Sequence, residues 1–437
     1  MKTVTGLLSL VLLVTLSGCV QTNDASCGNG ACGEAGTESH FGVNLGNLDY
    51  NAAAVYIGEL GSQIYVRDGR TPWHEEFGWK HIKNADLMGA CRVSCDPSRS
   101  PCNCRIGDFY YSSPAARTPL PRIESNRFLN FEAGRYDDAR PTGKKDITPA
   151  FPRGHEDSYI SYLYYLLLAY RDTARYWEVG NEAEAPTFWA GTPKDYADLV
   201  TIASREIKQS CPDCRVGISF AHPGLSPKRP ELNEEWYRAI GGVCDTFDFI
   251  DAHFYDTRYI VPGQLDRLKQ TCPGKEFIST ETGIPDNTGY PTPQTAGGSP
   301  QKQAEDLIKY NTRMFAEGYN KIFWYMVDTD YGMGSIFLHN GLMEEAALTK
   351  KPAFTSYKTM ISKVDYFTSV SKIGEGQYRY DFADSSPVYV LWCDVDACSV
   401  PAEISGTVKV TDHLGNEETR DASQIILTGS PVFVQNT

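Results

Sequence analysis

The chain has little positive charge, no low-complexity tract and no internal repeat at a fixed period. Lysine and arginine total 41 against 55 aspartate and glutamate residues, a formal net charge of −14. This deficit argues against nucleic acid as a partner, because phosphates need a basic surface. After residue 19 no apolar run is long enough to cross a bilayer; the best, 163–170, has the length of a buried helix. The 437 residues suffice for a barrel of about 250 residues and an accessory module.

The N-terminal segment has the composition of an export signal. Lys2 precedes an apolar stretch too short for a comfortable membrane span, and small residues and a cysteine follow it. Leu16-Ser17-Gly18-Cys19 resembles the bacterial lipobox, in which the signal is removed and the cysteine becomes the lipidated first residue. We therefore expect residues 1–18 to be a lipoprotein signal peptide and Cys19 to anchor the chain to a bacterial membrane. A plain secretory signal is the alternative, and both place the mature chain outside the cytoplasm.

Cysteine usage is consistent with an oxidising compartment. Without Cys19, 12 of the 13 cysteines remain, an even number. Those that lie close in sequence are Cys27/Cys32, Cys91/Cys95, Cys102/Cys104, Cys211/Cys214 and Cys393/Cys398, with Cys244 and Cys272 left over. Sequence proximity does not determine which cysteines pair. Zinc binding by the cysteines at 91–104 is an alternative, although their spacing does not match a zinc knuckle.

Beyond a glycine-rich tether at 19–39, short apolar runs alternate with amphipathic stretches. Strands are expected at 40–46, 63–69, 175–182, 215–222, 247–255, 275–283 and 321–328. A further strand, the third, is placed only loosely at 127–134, in a region that carries a cysteine-rich insertion near 90–120. The helical segment 192–210 begins with a threonine cap. Alternating strands and helices predict an α/β fold, a (β/α)8 TIM barrel over residues 40–364.

An open, doubly wound sheet is the competing architecture. Such sheets usually carry a glycine-rich nucleotide loop after the first strand, and residues 42–49 do not fit that pattern. Beyond about Asp365 the pattern changes to strict alternation. Strands are expected there at 377–382, 387–393, 406–412, 423–429 and 431–435. Residues 365–437 are therefore predicted to form a small C-terminal antiparallel β-sandwich domain beside the barrel.

Polar residues gather at the predicted C-terminal strand ends, where barrels bind their ligands. In strand order they are Arg67, Asn181 and Glu182, His222, His253 and Tyr255, Glu281, and Trp324. Glu182 and Glu281 are carboxylates on different strands that face each other across the mouth. Such a pair suits glycoside hydrolysis, in which one carboxyl group protonates the leaving oxygen and the other attacks the anomeric carbon. Glu178 lies four residues earlier on the fourth strand and is expected to be buried.

The motifs around this pair resemble the four/seven superfamily of retaining glycosidases, clan A of the glycoside hydrolases. WEVGNE (177–182) and FISTETG (277–283) match its strand-four and strand-seven signatures. A small C-terminal β domain also occurs in this clan, for instance in relatives of the β-xylosidase family. The resemblance implies a retaining mechanism with Glu182 as acid/base and Glu281 as nucleophile. The chain departs from the family at Ala183, where many members have proline.

The resemblance also implies roles for the neighbouring residues. Asn181 is expected to hydrogen-bond the sugar 2-OH, Arg67 to keep Glu281 ionised, and Tyr255 to orient it. His253 is expected to line the same wall, His222 to lie at the site, and Trp324 to offer an apolar face for a sugar ring. A purely structural role is the alternative for each of these three residues. Candidate subsite walls are Trp73, Trp189, Tyr331 and the loop 284–298.

These features predict an extracytoplasmic, lipid-anchored retaining glycoside hydrolase that cleaves β-glycosidic bonds in a poly- or oligosaccharide. No metal or organic cofactor is expected, since two carboxylates and a water suffice for the reaction. The alternatives are a non-catalytic glycan-binding lipoprotein on a barrel scaffold and a transglycosylase that uses the same residues. A metalloenzyme would need clustered ligands, and His222 and His253 give it thin support.

Overall fold

The computed structural model describes most of the chain from Ser39 onward. The described residues are 39–44, 63–67, 127–131, 174–186, 188–222, 230–255, 265–286, 299–327, 339–344, 349–395 and 397–437, with single residues within 56–60 and 151–167 and at 263. The predicted signal peptide, the lipidation site Cys19, the tether and the cysteine-rich insertion lie outside these residues.

Eight parallel strands form the central sheet. They are β1 (Phe41–Asn44), β2 (Gln63–Arg67), β3 (Arg127–Phe131), β4 (Ala174–Val179), β5 (Arg215–Phe220), β6 (Phe249–Ala252), β7 (Glu276–Thr282) and β8 (Lys321–Trp324). Each strand pairs with the next along the chain, and β8 pairs with β1, so that the sheet closes on itself. This closed sheet fits the predicted barrel, and the loosely placed third strand is present as β3.

Helices follow the strands of the second half of the sheet. They are α1 (Pro193–Ser210), α2 (Pro230–Gly241), α3 (Asp266–Thr271), α4 (Pro300–Glu317) and α5 (Pro352–Val364). The predicted threonine cap is present: Thr192 accepts from the backbone N–H of Asp195, whose side chain accepts from the N–H of Thr192. No helix in the described ranges is long and apolar enough to span a membrane.

A layer of large side chains fills the inside of the sheet near its N-terminal end. It consists of one residue each from β4, β6, β7 and β8, namely Tyr176, Phe249, Ile278 and Phe323. Glycines on the strands between them leave the necessary space. A Cβ atom on Gly217 would lie 2.1 Å from the Phe249 ring, and one on Gly42 would lie 2.0 Å from the Phe323 ring. The interior of the closed sheet is therefore a close-packed core and not a pore at this level.

Polar side chains follow on the same inner face, two residues further along each strand. Glu178, Ser219, Asp251 and Thr280 are all fully buried. Glu178 thus lies inside the sheet, as expected. This polar layer separates the apolar core from the C-terminal strand ends.

A two-stranded ribbon, β9 (Met343–Glu344) and β10 (Thr349–Lys350), precedes α5. The C-terminal region is an antiparallel sheet of β11 (Ser369–Gly374), β12 (Gln377–Asp381), β13 (Val388–Leu391), β14 (Thr407–Asp412), β15 (Glu417–Asp421) and β16 (Val432–Asn436). Its strand order is β11-β12-β13-β16-β14-β15. Tyr380 and Phe433 on one face join the core of the barrel, whereas Leu391 and Val434 face a smaller cluster. The described residues form one sheet here, not the two packed sheets of the predicted sandwich.

The strand predictions in this sheet need two corrections. Residues 423–429 form no strand, because Asp421 caps a short 3-10 turn at Ala422–Gln424 by accepting from the backbone N–H of Ser423. The edge strands β11 and β15 are largely exposed, and β15 is also rich in charged residues, so neither was predicted from an alternating apolar pattern.

Three disulfides are present among the described residues. They join Cys211 to Cys214, Cys244 to Cys272 and Cys393 to Cys398. The two cysteines left over by sequence proximity thus pair with each other and connect the end of α2 to the end of α3. The remaining candidates, including the cysteines at 91–104, lie outside the described part of the chain.

Candidate active site

The turn after β4 brings Glu182 to the mouth of the sheet. Gly180 has a φ of 71° and Glu182 a φ of 45°, so both adopt the left-handed conformation. Glycine tolerates this conformation, whereas for glutamate it costs roughly 1–3 kcal/mol and persists only where the surroundings impose it. The backbone N–H of Glu182 donates to Ser219 Oγ at 3.3 Å, and that of Ala183 donates to the Ser219 carbonyl at 3.0 Å.

Tyr196 on α1 packs against this turn and hydrogen-bonds the strand ends beside it. Its hydroxyl donates to the carbonyl of Val179 at 2.6 Å and accepts from the N–H of Ser219 at 3.2 Å. Its ring lies 3.4 Å from the position that a Cβ on Gly180 would occupy. A buried side chain of the capped helix therefore links the ends of β4 and β5 and positions Glu182.

Glu281 lies near the end of β7 and is 5% exposed. The register of β7 against β8 shifts between Ser279 and Thr282, at the position of this residue. The Tyr255 hydroxyl donates to Glu281 Oε2 at 2.8 Å. Burial, and then the Glu281 charge, raises the pKa of Tyr255 well above its usual value. Tyr255 therefore remains a hydrogen-bond donor at any physiological pH.

His253 lies between the two glutamates. Its Nδ1 donates to Glu182 Oε1 at 2.8 Å and is 3.7 Å from Glu281 Oε2. Its Nε2 is 2.9 Å from Asp251 Oδ2. Burial by itself lowers the pKa of His253, but the charges of Asp251 and Glu281, and the hydrogen bonds that the ring donates to Asp251 and Glu182, raise it well above its usual value. The imidazole is thus a buried cation shared by three carboxylates.

One carboxylate oxygen of Glu182, one of Glu281 and a ring nitrogen of His253 all lie within 4.8 Å of one another. Both ring nitrogens of His253 face carboxylates. His253 thus bridges the two glutamates. A gap of about 5 Å is the separation at which one carboxylate attacks a bound sugar directly.

The Asn181 side chain is buried beside this pair, at 3% exposure. Within the described part of the chain, neither its Oδ1 nor its Nδ2 has a hydrogen-bond partner. Buried amides without partners are uncommon because their desolvation is costly. The amide is thus available for a polar ligand that enters the mouth.

Glu184 is a third carboxyl group near the mouth. Its two oxygens accept from the backbone N–H groups of Ala221 (3.0 Å) and His222 (3.1 Å), at the end of β5. Burial raises its pKa to about 8, although the hydrogen bond from the Ala221 N–H opposes the shift. The His222 ring is tilted against Phe254, with ring centroids 5.4 Å apart. The predicted site residue His222 thus borders the site beside Glu184.

The structure places two of the predicted aromatic residues in the core. Trp324 is fully buried, donates from Nε1 to the Asn340 carbonyl and lies beside Tyr357 of α5, so it does not offer a platform at the mouth. Trp189, proposed as a subsite wall, is 5% exposed and packs edge-on against Tyr196.

The other predictions at the mouth depend on undescribed side chains. The backbone of Arg67 ends β2, as predicted, but its side chain is outside the described part. Trp73, Tyr331 and residues 287–298 are outside it as well.

Tyr325 is the aromatic residue that reaches the site from β8. It is 7% exposed and lies edge-on to Tyr255, with ring centroids 6.2 Å apart. Phe323 faces the inside of the sheet, so strand alternation directs Trp324 outward and Tyr325 inward. This alternation was the signal that could have identified Tyr325. Asp251 was also missed, because nothing in its sequence context marks a carboxylate beneath His253.

Comparisons with known proteins give a structural likeness alone. No protein-family model matches the chain. No curated protein matches it by sequence.

Solved glycoside hydrolases share its fold. The chain is similar to a family 39 glycoside hydrolase from the gut symbiont Bacteroides cellulosilyticus WH2, with a TM-score of 0.59, 14% identity, and coverage of 91% of this chain and 81% of that one. The family 39 enzyme from Xanthomonas axonopodis pv. citri gives a TM-score of 0.51, 14% identity and coverage of 91% and 94%. The catalytic domain of family 30 xylanase C from Talaromyces cellulolyticus gives 0.53, 11% identity and coverage of 92% and 97%. Identities this low show a shared fold and no more.

Proposed function

We propose that the chain is a retaining glycoside hydrolase of clan A, built on a (β/α)8 barrel, that cleaves β-linked poly- or oligosaccharides. The observation that carries the proposal is the separation of the Glu182 and Glu281 carboxylate oxygens, which is within 4.8 Å. Inverting enzymes keep their two carboxyl groups about 6.5–9.5 Å apart, to leave room for a water. The fold shared with family 39 and family 30 enzymes and the match of both strand-end signatures support the same assignment.

In the first step Glu281 attacks the anomeric carbon and forms a covalent ester, while the bond from that carbon to the leaving oxygen breaks. Glu182 gives its proton to the leaving oxygen, so the negative charge passes from Glu281 to Glu182. In the second step Glu182 removes a proton from a water, which attacks the anomeric carbon and releases Glu281. Two inversions give net retention. Every proton moves between Glu182 and an oxygen atom of substrate or water, so the two glutamates suffice.

The neighbouring residues supply binding and orientation. The buried amide of Asn181, which has no hydrogen-bond partner among the described residues, suits a contact with the sugar 2-OH that strengthens in the transition state. Tyr255 fixes the rotamer of Glu281 through its 2.8 Å hydrogen bond. Tyr325 offers an aromatic edge beside Tyr255. Arg67, at the end of β2, is assigned the electrostatic support of the nucleophile on the family resemblance.

The same proposal includes an extracytoplasmic location with a lipid anchor at Cys19. Leu16-Ser17-Gly18-Cys19 fits the lipobox pattern. The three disulfides in the described part of the chain favour an oxidising compartment. Labelling with a radioactive fatty acid in a bacterial host tests the anchor: Cys19→Ala should abolish incorporation, and unchanged labelling would refute lipidation at this position.

Activity is tested on the soluble form that begins at residue 20, against a panel of plant, algal and microbial β-glycans. Glu182→Gln and Glu281→Gln should each lower kcat by at least about 10³-fold. Glu317→Gln, at the end of α4 where its side chain accepts from the Gly263 N–H, is the matched control and should retain activity. Activity that survives both substitutions at the site would refute the assignment.

The stereochemistry of the first product is an independent test. Proton NMR of the fresh reaction should show the anomer with the same configuration as the substrate. An inverted product would refute the retaining mechanism while leaving the carboxylate pair as the site. Added sugar acceptors distinguish hydrolysis from transglycosylation, because transfer gives products longer than the substrate.

A further inference from the structure

Asp251 is a fully buried carboxylate on β6, on the same inner face as His253 two residues later. Its Oδ1 accepts from the backbone N–H of Thr280 at 2.7 Å. Its Oδ2 accepts from Ser219 Oγ at 2.7 Å and Thr280 Oγ1 at 3.0 Å, and lies 2.9 Å from His253 Nε2. Four donors from three strands therefore converge on one side chain. A buried carboxylate that accepts this many hydrogen bonds is rigid, and it presents a fixed negative charge to the imidazole.

Among the described residues, the groups that face His253 are anionic or neutral. Asp251 faces it from β6, Glu281 from β7, and Glu182 and Glu184 from the turn after β4. The hydroxyl of Thr280 lies 3.1 Å from Nε2, and that of Tyr255 bonds Glu281. In this arrangement Asp251 holds one nitrogen and the catalytic pair faces the other. The ring is thereby fixed in orientation as well as in charge.

The proposed reaction moves one negative charge across this ring. Before glycosyl transfer the charge is on Glu281, 3.7 Å from Nδ1, and afterwards it is on Glu182, 2.8 Å from the same nitrogen. The same cation, His253, is therefore adjacent to the charge in both states. We propose that Asp251 is a positioning residue that holds His253 as the cation which stabilises whichever catalytic carboxylate is ionised. This role rests on the proposed function of Glu182 and Glu281.

Asp251→Asn tests this positioning role, because it keeps the shape of the side chain and removes the negative charge next to His253 Nε2. Without the cation both catalytic carboxylates lose electrostatic stabilisation, so both limbs of the pH profile of kcat/KM should move to higher pH by about one unit. At a pH on the acid limb this corresponds to roughly a tenfold loss. Asp195→Asn is the matched control: it removes a buried carboxylate in the α1 cap, so it should lower Tm and leave the pH profile in place. A profile for Asp251→Asn that superimposes on that of the wild type overturns the proposal.

A second measurement needs no enzymatic activity. Nitrogen-15 NMR of the wild-type protein, with His253 assigned by comparison with His253→Gln, reports the charge of the ring. The ring should remain doubly protonated through pH 8, and deprotonation in the range of an ordinary histidine overturns the proposal. If the glutamate variants keep full activity while His253 stays protonated, the proposed function fails and the charge assignment for His253 stands. If the glutamate variants are inactive but His253 titrates normally, only the role of Asp251 fails.

Discussion

The hydroxyl of Tyr255 and Glu281 Oε2 lie 2.8 Å apart, and this hydrogen bond joins β6 to the carboxylate that we assign as nucleophile. A hydrogen bond to a charged group contributes about 1.5–3 kcal/mol. We expect Tyr255→Phe to lower kcat about 10–100-fold with little change in KM, because the bond orients an attacking group. Steady-state kinetics on an aryl β-glycoside measures this. Tyr319→Phe, which removes a buried hydroxyl that bonds Ala252, is the matched control. An unchanged kcat in Tyr255→Phe would argue against the orienting role.

The Asn181 amide gives a second prediction, tested with a modified substrate. Asn181→Ala should lower kcat/KM about 10–100-fold on an ordinary glycoside, because the contact with the 2-OH is lost. On the corresponding 2-deoxy glycoside the two enzymes should differ little, since the partner hydroxyl is already absent. The coupling between enzyme and substrate changes is the quantity to measure. Equal losses on both substrates would assign Asn181 a general role in holding the turn.

Glu184 predicts a dependence of stability on pH. Burial raises its folded-state pKa from 4.5 to about 8, so the folded protein holds this proton more tightly than the unfolded chain. The protonated Glu184 therefore makes its full contribution to the free energy of unfolding below pH 4.5, and this contribution is lost as the pH rises to about 8. Glu184→Gln cannot lose a proton, so its Tm should fall less than that of the wild type between pH 5 and pH 8.

Differential scanning fluorimetry at the two pH values checks this. Each kcal/mol that the variant retains at pH 8 corresponds to roughly 2–4 °C in Tm. Glu317→Gln serves again as the surface control and should follow the wild type. Identical pH dependence in Glu184→Gln and wild type would show that Glu184 does not hold its proton.

Gly217 predicts a packing defect inside the sheet. An alanine Cβ would lie 2.1 Å from the Phe249 ring, so Gly217→Ala should lower the free energy of unfolding by about 1–3 kcal/mol. Gly241→Ala in α2 is the control, since its Cβ would meet Thr271 at 3.4 Å, an ordinary contact. Adding Phe249→Leu to Gly217→Ala should recover part of the loss. Urea unfolding of the single and double variants measures the coupling, and additive effects would contradict the steric explanation.

Buried strands could be predicted from the sequence, whereas exposed ones could not. The run 321–328 is largely apolar because both faces of a parallel strand are covered, and the structure has the strand β8 there. The edge strand β15, Glu417–Asp421, is charged and exposed, so no hydrophobic pattern marks it. The apolar run at 423–429 was wrongly predicted as a strand, because apolar residues can be buried against a sheet without belonging to it. Ile425 and Leu427 pack against the sheet from a turn without joining it.

At the site, the residues at the strand ends could be identified from the sequence, but the contacts between them could not. Glu182 and Glu281 were identified because each ends a buried run, which is a local feature. Trp324 was predicted as the aromatic residue at the site, but its neighbour Tyr325 occupies that place. Neighbouring residues of a strand point to opposite faces, so an error of one position exchanges the inner and outer faces. Asp251 acts through a distance of 2.9 Å to His253, a relation that exists only once β6 has formed.

The first described residues of the chain are bonded to the junction that leads into the C-terminal sheet. Ser39 Oγ donates to Asp365 at 2.7 Å, and the His40 ring stacks on Phe367 with centroids 4.0 Å apart. Lys309 of α4 is paired with Asp394 and lies near the Trp392 ring. The sheet is consequently not a detachable module. A chimera that exchanges it between related chains would have to include α4 and the start of β1.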